Sequence, residues 1–154
     1  MQVFIVGTPL ETAMALDKRR LNKQIIECKQ ILDALEGAKA WRNHPAILQY
    51  RGYTGWLIAY QSCLRYYYKG TYVKNTCYDC EVVLRNCLAA ERLCESLTPP
   101  FHTKEYFDQM KRRLYTKDPD YYRQWEHLGK SEINYYWSQD ENKFIKYKNG
   151  KRIE

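Results

Sequence analysis

The sequence predicts a mainly α protein: a compact single-domain helical bundle with a short N-terminal strand and a small C-terminal β-hairpin. Three observations carry this fold class. Helix-start signals recur along the chain, as Thr8-Pro9, Pro45 and Asp118-Pro119. Apolar residues return at helical spacing, most cleanly at Leu21, Ile25, Cys28, Leu32 and Leu35. After Gly129-Lys130 the pattern changes to short aromatic and alternating runs with an Asn149-Gly150 turn.

Each element has its own warrant. "QVFIV" (2–6) is apolar and β-branched and reads as the strand. Thr8 then serves as N-cap, with Pro9 at N1 and Glu11 at N3. The helical pattern runs on to Leu35 and stops at Gly37, with a break near Asp17, a residue suited to cap a second helix. "NHPAILQY" (43–50) opens a further helix, with Asn43 or His44 as cap, and Gly52 and Gly55 interrupt it. Helix then resumes to Gly70, a third long helix covers 79–96, and Thr103 caps one over 104–115. Asp118 and Pro119 start a short helix, and "NYYW" with "NKFIKYKNGKRI" forms the hairpin.

The chain of 154 residues, 45% hydrophobic, suits one domain with a real core and too little for two. No apolar run reaches the ~18–20 residues that a membrane span requires. The N-terminus lacks the basic region and small-residue cleavage site of a signal peptide, so a cytoplasmic monomer is expected. A formal net charge of +7 suits an anionic partner, nucleic acid first. The basic residues group into "KRRLNK" (18–23) and "KRRLYTK" (111–117). Fifteen Tyr and four Trp offer flat faces with polar handles, which suit bases and sugars as well as a core.

Six cysteines in a chain without a secretion signal do not read as a disulfide framework. "CYDC" (77–80), with Cys87 and Cys94 beyond it, invites a zinc reading. Yet Cys80, Cys87 and Cys94 fall at i, i+7 and i+14, one helix face with Leu84 and Leu88 nearby, and buried free thiols are the better reading.

On the helix that bears Leu21 to Leu35, Arg20 and Glu27 fall side by side, about 100–120° from the centre of the apolar stripe. Lys23 lies next to them, further toward solvent. This boundary is where a cleft wall would stand. The plain alternative is a Lys23–Glu27 surface ion pair on a solvated face. His44 reads as a cap or packed ring, with a DNA contact as the alternative. The C-terminal ribbon alternates cations with apolar residues, which fits either a DNA-backbone contact or a surface hairpin.

Four phrases, "LDKRRLNKQIIE" (16–27), "HPAILQY" (44–50), "KRRLYTKDPDYY" (111–122) and "GK" (129–130), stand in an order and at spacings that resemble the pyrimidine dimer DNA glycosylases of the phage endonuclease V type. The resemblance implies one such domain over 1–154. It implies a protein that binds damaged double-stranded DNA, kinks it and flips out a nucleotide, with no metal or other cofactor. An N-terminal α-amine would attack the sugar C1′ to give a Schiff base, and β-elimination would cleave the strand. The family's essential carboxylate maps onto Glu27, and its basic helix-face contact onto Arg20. Its C-terminal basic pair maps onto Arg113 and Lys117, followed by Gly129-Lys130. Because Gln2 is large, the initiator Met is expected to stay, so the amine would be that of Met1. Glu27, Met1 and Arg20 are thus the catalytic candidates, and Arg19, Lys23, His44, Arg113, Lys117 and Lys130 the DNA-binding ones. Other readings stay open: a binding protein that kept the fold without the nucleophile, an enzyme acting on a nucleotide or sugar-phosphate, or a phage-type protein that blocks a host factor.

Overall fold

The computed structural model describes residues 1–73 and 80–153. The first five residues are extended but pair with no strand. Val3 and Ile5 are fully buried, so this segment is threaded through the core as a lone peptide. The expected strand over 2–6 is therefore absent. Among the described residues no second strand lies beside it, and side chains from the helices and the C-terminal sheet take the ladder's hydrogen bonds instead.

Gln24 takes two of these bonds. Its Oε1 accepts from the Phe4 N–H, and its Nε2 donates to the Gln2 carbonyl at 3.0 Å. The Tyr60 hydroxyl donates to the Phe4 carbonyl at 2.9 Å and reaches Gln24 Oε1 at 3.3 Å. Tyr106 donates to the Val3 carbonyl (3.3 Å), Tyr136 to the Met1 carbonyl (2.9 Å), and the Val6 N–H to Thr12 Oγ1 (3.1 Å).

Helix α1 (Pro9–Ala15) starts as its sequence requires, with Thr8 Oγ1 accepting from the Glu11 N–H and Pro9 in the first turn. Asp17 caps α2 (Lys18–Leu35), so the break expected near Asp17 is real. The buried face of α2 carries Leu21, Gln24, Cys28, Ile31 and Ala34, whereas Ile25 and Leu32 are only half-buried. At ~100° per residue this face is rotated about 60° from the expected stripe, toward Glu27. The reason is Gln24: a polar residue faces the core because the unpaired N-terminal peptide needs its amide.

His44 caps the short α3 (Pro45–Leu48) through Nδ1, which accepts from the Ala46 N–H at 3.1 Å. Helix α4 (Thr54–Tyr72) runs past Gly70, the expected stop. Gly70 serves a close approach instead: a Cβ there would lie 2.5 Å from Val83 Cγ2 of α5 (Cys80–Leu97). Cys63 of α4 faces Cys87 of α5, and Cys28, Cys63, Cys87 and Cys94 are buried free thiols. Leu84 and Leu88, placed beside the cysteines by their spacing, face outward instead, half and over a third exposed. Cys77 lies outside the described residues, as does the side chain of Cys80, so the zinc alternative for "CYDC" has no geometry here.

Thr103 caps α6 (Lys104–Lys117). Asp118 does not start an α-helix. Its carboxylate caps a turn through the Tyr121 N–H (3.1 Å), and a 3₁₀ helix (Arg123–Leu128) follows. The expected hairpin is one half of a three-stranded antiparallel sheet, β1 (Asn134–Ser138), β2 (Lys143–Lys148) and β3 (Lys151–Ile153), with Asn149-Gly150 at the β2–β3 turn. None of the described helices is long and apolar enough to cross a membrane.

Gln24→Leu should cost about 2–4 kcal/mol in urea unfolding, because it strands the Gln2 carbonyl and Phe4 N–H in the core. A loss below ~1 kcal/mol would mean that the N-terminal segment is held by packing alone.

Candidate functional site

A cleft of about 200 Å³ opens between the N-terminal segment, α2 and the end of α6, lined by Phe4, Arg19, Arg20, Lys23, Gln24, Glu27 and Lys117. Five of the nine residues singled out from sequence meet here: Arg19, Arg20, Lys23, Glu27 and Lys117. Glu27 is the one carboxylate of the lining, and its side chain is 13% exposed. The rotation of α2 explains this depth, since it brings Glu27 further from water than the apolar stripe alone implied.

Three groups hold the carboxylate. Oε2 accepts from the backbone N–H of Gln2 at 3.4 Å and from Gln24 Nε2 at 3.5 Å. Lys23 Nζ lies 3.7 Å from Oε1, so the expected ion pair forms, with the lysine on the solvent side. The Met1 nitrogen is the next backbone nitrogen along the chain from that of Gln2. Standard bond lengths therefore keep the amine within about 7 Å of the carboxylate.

Arg20 is more tightly committed than expected. Its guanidinium is 3.1 Å from Asp17 Oδ1 and 3.9 Å from Asp118 Oδ2, and it lies over the Tyr122 ring. Burial raises the Asp17 carboxyl, but the hydrogen bonds from Tyr122 and Arg20 and the Arg20 charge outweigh it and hold it below the usual range. Arg19 and Lys23 are exposed and carry no such anchor beyond the Lys23–Glu27 pair.

Lys117 closes the other side. Partial burial lowers its ammonium pKa, and the charges of Arg113, Lys23 and Arg20 push it the same way, with Glu27 opposing. Arg113, one turn earlier on α6, donates to the Ser131 carbonyl at 3.3 Å, and its Nε is buried with no hydrogen-bond partner among the described residues. Lys130 does not line the cleft. It is exposed over the Tyr115 ring at 5.9 Å.

His44 stands at the other end of the N-terminal segment. Burial, and then the nearby Met1 ammonium, hold its imidazole below the ordinary value. Its ring meets Tyr136 edge-on at 5.8 Å, and the Tyr136 hydroxyl holds the Met1 carbonyl. With Nδ1 accepting from Ala46, the proton of the neutral ring sits on Nε2.

Phe4, Gln24 and Tyr136 belong to the site and were missed from sequence. Gln24 alone left a signal, a polar residue three positions before Glu27 on the core side of α2. Phe4 and Tyr136 are brought in by tertiary packing. Among the described residues no cluster of His, Cys, Asp or Glu has the makings of a metal site.

Asp17→Asn keeps a side chain able to cap α2 and removes the charge that Arg20 and Tyr122 hold. The depressed Asp17 pKa means its stabilisation is present above about pH 4 and is lost as pH falls through the folded value. The variant should therefore be about 1–2 kcal/mol less stable than the parent at pH 7, with the gap narrowing as pH falls below about 4 in denaturant titrations.

No curated protein and no solved structure matches the chain. One family does, and its match extends over α1 to α4 and starts at residue 1, ahead of the first motif phrase. Met1, Arg19, Arg20, Lys23, Glu27 and His44 lie inside it; Arg113, Lys117 and Lys130 lie beyond it. The family model is described as pyrimidine dimer DNA glycosylase, and it matches residues 1–75 of the chain.

Proposed function

We propose that the protein is a DNA repair glycosylase with abasic-site lyase activity, acting on pyrimidine-dimer duplex DNA through an amine Schiff base. The observation that carries this reading is the Glu27 carboxylate, held 3.4 Å from the Gln2 N–H inside a cleft whose other charged lining residues are all cations. The family match over residues 1–75 supports the same reaction class.

In this reading the Met1 amine is the nucleophile. As a class, α-amines are weaker bases than lysine side chains, which suits a nucleophile that must be neutral to attack. The amine nitrogen bonds to C1′ as the bond from C1′ to the pyrimidine breaks, and the base leaves with that electron pair. The sugar ring then opens to a protonated imine, O4′ taking up a proton. Glu27 first stabilises the positive charge at C1′ and then removes the C2′ proton. The C3′–O bond breaks and the 3′ phosphate leaves with its electrons. Arg19, Lys23 and Lys117 grip phosphates on either side, and a phosphate oxygen would satisfy the unpartnered Arg113 Nε. Arg20, already paired with Asp17 and Asp118, is a weaker phosphate ligand than the exposed cations and serves more to fix the wall.

Borohydride trapping on duplexes carrying a thymine dimer, an abasic site or no lesion tests the reading. A covalent adduct is expected on the two damaged duplexes, with the trapped peptide mapping to Met1 rather than to Lys23 or Lys117. Glu27→Gln should lower strand cleavage by at least about a hundredfold and leave duplex binding intact. No adduct, with salt-sensitive binding preserved, would identify a binding protein on this fold instead.

A further inference from the structure

The loop that joins α2 to α3 carries Trp41, and nothing in the reaction scheme above uses it. Residues 36–43 are all exposed, and Trp41 is 60% exposed. Of the chain's other tryptophans, Trp56 and Trp125 are buried and Trp137 is half-buried. Trp41 also sits at φ +63°, in the left-handed region that bulky side chains rarely adopt. Glycine or asparagine would take that backbone with less strain. The position thus combines a strained backbone with an indole left in water, a combination that packing does not repay and that concentrates at functional sites.

Its surroundings point to a ligand class. The indole meets the His44 ring edge-on at 6.0 Å, His44 meets Tyr136 at 5.8 Å, and Tyr136 holds the Met1 carbonyl at 2.9 Å. A chain of direct contacts therefore ties the exposed ring to the N-terminal segment. Lys39 and Arg42, both exposed, flank Trp41 on the same loop. An exposed aromatic ring on a loop that also carries exposed cations offers the residue types by which proteins stack an unpaired base while holding its phosphates.

We propose that Trp41 is a stacking platform for a nucleobase displaced from the duplex at the lesion, with Lys39 and Arg42 on the neighbouring phosphates. The proposal rests on the damaged-DNA reading above and adds a residue that discriminates damaged from intact duplex. Stacking on the indole stabilises only a complex in which a base has left the helix, so its contribution falls on the lesion-bearing duplex.

The test is equilibrium binding of the full chain to a duplex with one tetrahydrofuran abasic analogue, which cannot be cleaved, and to its intact counterpart. Intrinsic tryptophan fluorescence and anisotropy of a labelled strand are read together. For the parent protein we expect tighter binding to the abasic duplex and quenching that Trp41 dominates. Trp41→Ala should weaken abasic-duplex binding about tenfold or more, change intact-duplex binding little, leave the salt slope unchanged and lose the quenching. Trp41→Phe, which keeps a ring, should fall between. A Lys39→Ala/Arg42→Ala variant should weaken both duplexes and flatten the salt slope. Unchanged selectivity in Trp41→Ala, or equal losses on both duplexes, would overturn the platform while leaving the DNA reading in place. Failure of the parent to bind either duplex would overturn both.

Discussion

The structure depends on a peptide that is buried without a sheet. Residues 1–5 cross the interior in extended form, and every backbone polar group they bury needs a partner that no neighbouring strand supplies. One amide answers part of the demand and links it to the cleft. Gln24 accepts from Phe4 N–H and from the Tyr60 hydroxyl, and donates to the Gln2 carbonyl and to Glu27. All four hydrogen-bonding positions of the side chain are thereby used. The orientation of the amide follows from the network, since the flipped form would set a donor against the Phe4 N–H and an acceptor against a carboxylate. The same residue that seats the N-terminus thus also touches the candidate catalytic acid, so stability and site geometry share one side chain.

The cleft is electrostatically lopsided, and its cations are not equivalent. Arg20 is spent on Asp17 and Asp118 and stacks over Tyr122, which fixes the start of α2 against the turn after α6. Arg19 is exposed, and Lys23 pairs with Glu27 from the solvent side. Lys117 stands among like charges and loses some of its hold on a proton. A phosphate entering the cleft relieves that crowding, so the repulsion built into the free protein becomes attraction when an anion binds. The single carboxylate beside this cluster keeps its place because backbone and amide N–H groups hold it from the inside, not only because Lys23 pairs with it from the outside.

Much of the architecture was legible from local chemistry. The caps at Thr8, Asp17, His44 and Thr103 stand where their side chains and following residues place them, and the Asn149-Gly150 turn joins two strands. Arg19, Arg20, Lys23, Glu27 and Lys117 meet in one cleft although two basic phrases far apart in sequence supply them. What failed to show was whatever depends on tertiary pairing. "QVFIV" has the composition of a strand, but composition does not say whether a neighbour exists. The face of α2 was drawn through Ile25 and Leu32, because the rule that apolar residues point inward has no place for a glutamine serving a buried backbone. Gly70 looked like a helix stop and proved to be a contact with Val83, since only the crossing helix distinguishes the two uses.

The aromatic content has a use in the same scheme. Tyr60, Tyr106 and Tyr136 come from α4, α6 and β1, and each spends its hydroxyl on a carbonyl of the first four residues. A tyrosine suits this task because its ring fills core volume while its hydroxyl reaches a polar group that an aliphatic residue would strand. Three elements distant in sequence therefore converge on one short peptide, and its position is over-determined from several directions. A nucleophile at the end of a chain ordinarily suffers from fraying. Met1, the nucleophile of the proposed reading, is held at its own carbonyl by Tyr136, and its neighbour is held at N–H and carbonyl by Glu27 and Gln24. Under that proposal the entropic cost of placing an amine beside a carboxylate is met when the protein folds, leaving less to be met when a substrate binds.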